Sequence, residues 1–74
     1  MALKLNILIE KDDDGYFANC PELPGCHSQG DTFEKVMANI REAAELYLET
    51  LPRSEQRNLA RKQIVTTAME VSVA

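Results

Sequence analysis

Between Leu3 and Ile9 every odd position is apolar (Leu3, Leu5, Ile7 and Ile9), while Lys4, Asn6 and Glu10 are polar. A period of two is the signature of a strand with one buried face, and Leu8 is its single exception. The polar stretch 11–15 closes in Asp14-Gly15, and residues 16–20 form a second short aromatic and apolar run, so the pattern predicts a β-hairpin. Pro21, Pro24 and Gly25 then interrupt it, because proline fixes φ and removes a ladder donor. A short third strand is expected over residues 26–29.

The pattern changes period after Gly30. Asp31, with Glu34 three residues later, is the expected N-cap of a helix. Phe33, Val36, Met37, Ile40, Ala43, Ala44, Tyr47, Leu48 and Leu51 recur at spacings of three and four, giving one apolar stripe that ends near Pro52. The polar segment from Arg53 to Lys62 has room for a further turn or two of helix. Val65, Thr67, Met69, Val71 and Val73 then alternate with Glu70 and Ser72, which predicts a last strand over residues 64–73.

The expected order is therefore β-β-β-α-β, an α+β fold with one helix on one face of a four-stranded mixed sheet. The helix provides the crossover that lets the last strand lie parallel to the first and cover its free edge. The other face stays bare. If Tyr16, Ala18 and Cys20 point to the helix, that face carries Leu8 and Phe17, with Ile64 and Ala68 beside them, an apolar patch suited to an oligomer or partner. The weak alternation of the second strand also admits Phe17 to the core.

Composition narrows the function. A chain of 74 residues has room for one domain and buries roughly 60% of its unfolded surface, which leaves little area for a deep substrate cavity. Eight Lys and Arg against 12 Asp and Glu give a net charge of −4, opposite in sign to the footprint of a stand-alone nucleic-acid binder and suited to a basic partner. No apolar run approaches the ~20 residues of a transmembrane helix, and the start of the chain alternates instead of forming a signal peptide's continuous apolar stretch. A cytoplasmic protein is expected, with Cys20 and Cys26 as reduced thiols.

The same residues argue against catalysis. Cys20, Cys26 and His27 supply at most three soft ligands, short of a structural zinc's four, so neither a metal nor a cofactor is expected. Counting a calcium loop from Glu10 through Asp12, Asp13 and Asp14 places Pro21 where the bidentate acid belongs. A metal-dependent nuclease needs converging carboxylates, and the first strand offers none before Glu10. His27 has Ser28 beside it, which points to the opposite side of a strand. The chain is read as a non-enzyme.

The strings Asp14-Gly15-Tyr16-Phe17-Ala18, Pro21-Glu22-Leu23-Pro24-Gly25-Cys26, Gly30-Asp31-Thr32-Phe33-Glu34, Ile40-Arg41-Glu42-Ala43 and Leu46-Tyr47-Leu48-Glu49 follow one another in fixed order. In this order and spacing, over roughly residues 3 to 50, the chain resembles the HicB antitoxin family. The resemblance implies a partial ribonuclease-H-like fold. It also implies an antitoxin of a type II toxin-antitoxin system, which neutralises HicA, a small basic mRNA-cleaving toxin, often as a dimer or larger assembly. Many members continue into a DNA-reading C-terminal module, whereas this sequence runs only to Ala74, so no specific DNA binding by the chain alone is expected.

On this reading an acidic sheet occludes the toxin's basic surface. Asp12, Asp13, Asp14, Tyr16, Phe17 and Glu22 are the expected partner-binding residues, and Leu8 and Phe17 the expected oligomer interface. The Pro-x-x-Pro-Gly stretch is a rigid connector or a recognition loop. The alternative is a stand-alone oligomeric RNA-binding or structural protein using Arg53, Arg57, Arg61 and Lys62 on one helical stripe.

Overall fold

A computed structural model describes residues 2–74. Strands β1 (Leu8–Asp12), β2 (Gly15–Asn19) and β3 (His27–Gly30) form an antiparallel sheet in the order β1-β2-β3, and helices α1 (Phe33–Glu49) and α2 (Arg53–Arg61) follow. The hairpin register pairs Leu8 with Asn19 and Asp12 with Gly15, and β3 adds with Tyr16 opposite Gly30. The described residues are thus α+β, as expected, with three strands and two helices in place of four strands and one helix.

The difference lies at the C-terminus. Residues 62–74 form neither helix nor strand. Their β-branched pattern satisfies local propensity, but a strand also needs a ladder partner, and here the segment pairs with none, which leaves the outer edge of β1 open. The polar segment before it folds into the nine residues of α2.

β1 starts later than the alternation suggests, because its ladder can begin only where β2 ends, at Leu8 opposite Asn19. Before it, Leu3, Leu5 and Ile7 are half-buried and Lys4 and Asn6 exposed, so the same period runs on without a strand partner. β3 is displaced by one residue from the expected 26–29, since Cys26 closes the preceding loop instead. There Cys20 N–H donates to the Cys26 carbonyl at 3.0 Å, Leu23 N–H to that of Cys20 at 3.1 Å, and Cys26 N–H to that of Leu23 at 2.9 Å.

α1 lies across one face of the sheet. Val36, Ile40 and Ala44 are buried against Ala18, Cys20, Leu23 and Cys26, with Leu5, Ile7, Ile9, Tyr47 and Leu48 packed around them. The N-cap is Thr32 and not Asp31: its Oγ1 accepts from Lys35 N–H at 3.1 Å and its φ of −131° is extended. Both residue types cap well. The close approach of Gly30, where a Cβ would stand 2.6 Å from the Val36 nitrogen, fixes how far the chain must travel before turning.

At its far end α1 leaves carbonyls that its own backbone cannot satisfy. The Gln56 side-chain amide of α2 adds a donor to the carbonyl of Leu48, at 3.0 Å, which also accepts from Leu51 N–H, and donates to that of Leu51, just past the helix, at 3.1 Å. With half-buried Leu59, this seats α2 against the end of α1. Arg53, Arg57 and Arg61 are all exposed.

Candidate partner-binding site

The register places Leu8, Glu10, Phe17, Asn19, His27 and Gln29 on the face that α1 does not cover, since successive side chains alternate across a sheet. Leu8 and Phe17 are 41% and 36% exposed there and line one shallow depression with Glu10, Asn19 and His27. This is the bare face expected for Leu8 and Phe17. The other two residues assigned to it, Ile64 and Ala68, lie outside the sheet.

Tyr16 and Phe17 are separated by the sheet itself. Tyr16 turns to the helix side, where its ring meets Phe33 edge-on at 6.4 Å between centroids, and Lys11 Nζ sits 5.8 Å over it. The two aromatic residues expected to anchor a partner therefore share no face except at the hairpin end. There a second depression collects Asp14, Tyr16, Phe17, Asp31, Lys35 and Asn39. Asn39 Nδ2 donates to the Gln29 carbonyl at 2.8 Å and fastens α1 to this end of β3.

Asp12, Asp13 and Asp14 are exposed at the tip. Asp14 N–H donates to Asp12 Oδ1 at 2.8 Å, the turn in which an aspartate side chain substitutes for a backbone acceptor. Gly15 completes it with φ 134°, a conformation that side chains rarely adopt. Three carboxylates thus project from one rigid turn into solvent.

Glu22, expected to share this surface, is instead 3% exposed. Its carboxylate accepts from Asn6 N–H and Asn6 Nδ2, both at 2.9 Å, and lies 3.8 Å from Cys20 Sγ. Burial pushes the Glu22 carboxyl up, but these hydrogen bonds outweigh it and hold the group below its ordinary 4.5. The residue serves the core: it continues the sheet past the end of β2 with a side chain in place of a strand. Nothing local in the sequence signals this, because Asn6 is sixteen residues away.

The two thiols are equally internal. Burial, together with the Glu22 charge, raises Cys20, and burial raises Cys26, so both are held as thiols and away from the reactive thiolate form. Among the described residues, no helix is long and apolar enough to cross a membrane.

The described residues thus form a small antiparallel sheet with one face covered by a helix, an open face that carries Leu8 and Phe17 among polar residues, and an acidic tip. The family model of the HicB-like antitoxin of bacterial toxin-antitoxin systems matches residues 5–72. The chain belongs to that family. It is 46% identical over 70 residues to a UPF0150 protein of Helicobacter pylori, covering 95% of this chain and 97% of the relative. A UPF0150 protein of Synechocystis is 59% identical over 51 residues, 68% of this chain and 65% of that one. A third, from Archaeoglobus fulgidus, is 42% identical over 64 residues, covering 85% and 93%. No solved structure matches the chain.

Proposed function

We propose that the protein is an antitoxin that binds a HicA-like mRNA-cleaving toxin and occludes its basic active surface, without catalysing a reaction itself. The observation that carries this reading is the family match over residues 5–72. The geometry adds a means. Asp12, Asp13 and Asp14 at the tip attract a basic surface, and Phe17, with Leu8 beside it on the bare face, supplies apolar area for retention. Tyr16 supports the tip from the helix side. In the cytoplasm the same bare face serves self-association when no toxin occupies it. The β-β-β-α unit then corresponds to part of a ribonuclease-H-like sheet.

A direct assay uses a purified HicA-like toxin. Added in equimolar amount, the protein is expected to abolish cleavage of a test RNA by the toxin, and Phe17→Ala to require about tenfold more protein for the same inhibition. Undiminished cleavage in the presence of a molar excess would sink the proposal. The exposed row Arg53, Arg57 and Arg61 on α2 favours one other reading, RNA binding by the chain alone. Retention of RNA by the protein without toxin at physiological salt is its signature.

A further inference from the structure

Within residues 63–74, Val65, Met69, Val71 and Val73 are 72–93% exposed. Together with Thr67 they occupy alternate positions, which share one face wherever a chain is extended, and all but Met69 are residue types that pack best on a pleated surface. The dimensions of the molecule show how much this costs. Its accessible surface is 6199 Å², whereas a folded monomer of 8.3 kDa exposes about 4,600 Å². The excess of about 1,600 Å² is twice the ~800 Å² that each partner contributes to a standard interface. The radius of gyration is 14.4 Å against roughly 11 Å for a compact chain of this length.

The sheet has an edge of matching length. β1 is outermost, with no strand of the described residues on its outer side, and residues 3–7 lead into it with the same alternation of half-buried and exposed positions. Asn6 N–H is spent on Glu22, on the β2 side. Because backbone groups alternate along an extended chain, those of Leu5 and Ile7 then point to the open side. Beside this edge, Leu5 and Ile7 form a groove with Ile40, Ala44 and Leu48 of α1. The opposite edge, β3, is only four residues long.

We propose that residues 64–73 of one copy add as a strand to the outer edge of residues 3–12 of a second copy, reciprocally. The row from Val65 to Val73 then covers the groove between that edge and α1. Ten residues meet ten. The exchange is self-complementary about a two-fold axis, gives each sheet its fourth strand, and removes an open edge that would otherwise template aggregation. It uses a surface separate from Leu8 and Phe17, so self-association through the bare face would join such dimers into a larger assembly, and it is independent of toxin binding.

Sedimentation velocity and amide hydrogen exchange on the full chain test this together. The expected result is a dimer at tens of micromolar whose amides in 64–73 and 3–9 are protected, the protection falling with dilution as the dimer dissociates. The double substitution Ala68→Pro and Val71→Pro, at positions of opposite parity, removes a ladder donor in either register, from a segment that beyond half-buried Ile64 is exposed in its own copy. It is expected to leave the circular dichroism of the helices intact and raise the dimer's dissociation midpoint at least tenfold. A strict monomer overturns the proposal. So does a dimer whose residues 64–73 exchange freely, protection that is independent of concentration, or a proline variant that dimerises like wild type while Leu8→Lys does not.

Discussion

At the scale of single residues, the chain separates its carboxylates by what they touch. Asp12, Asp13 and Asp14 face water at the hairpin tip, while Glu22 is enclosed and takes two amides of Asn6. A carboxyl held below its unfolded value contributes stability that is complete above that value and is lost as the pH falls through the folded one. For Glu22, whose ordinary value is 4.5, the loss begins as the pH drops past it and continues below. Thermal melts from pH 7 to pH 3 are expected to show a decline that Glu22→Gln flattens, since the amide keeps one acceptor and cannot titrate. At pH 7 Glu22→Ala is expected to cost about 2 kcal/mol, because it strands the Asn6 donors. In a domain this small that lowers Tm by roughly 10 °C.

At the scale of elements, the tightest joint is that between β3 and α1. A methyl group at position 30 would stand 2.6 Å from the Val36 nitrogen and 3.0 Å from the Lys35 carbonyl carbon, and backbone cannot step aside as a side chain can. Gly30→Ala is expected to destabilise the chain by about 2–3 kcal/mol in urea unfolding. Gly25→Ala, whose added Cβ meets nothing within 4 Å, carries only the conformational cost of its φ of 82°, about 1–2 kcal/mol. These joints also show what a sequence discloses. The hairpin and α1 were legible because their signals are local: a period of two around Asp14-Gly15, and a stripe at three and four from Val36 to Leu48. The cap was misplaced by one residue because Asp31 and Thr32 are both competent, and the contact with Gly30 decides between them. Residues 64–73 read as a strand on propensity and alternation, which say nothing about the partner that a strand requires. Glu22, set between two prolines, looks like a loop acid, and only the return of Asn6 reveals it as internal.

At the scale of the whole molecule, the net charge of −4 favours encounter with a basic protein, and three of the contributing charges sit on one turn. Replacing Asp12, Asp13 and Asp14 with Asn leaves −1. Binding kinetics on an immobilised, catalytically inactive HicA-like toxin are expected to show slower association and a flatter salt dependence, with dissociation nearly unchanged. Phe17→Ala is expected to do the reverse, speeding dissociation by about tenfold. An association rate equal to wild type for the triple variant would move the contact surface elsewhere, with the segment from Arg53 to Lys62 next in line. The one-sided sheet has a further consequence, for how such a chain can change. Its helix-side residues hold the fold, and alternation guarantees that each is flanked in sequence by one that does not. Leu8, Glu10, Phe17, Asn19, Asp13 and Asp14 are thus free to drift singly, each step altering the exposed surface without removing a side chain that holds the scaffold, whereas Asp12 is tied to the turn. On a sheet of this plan the exposed face can therefore change by point substitution while the buried face stays constant.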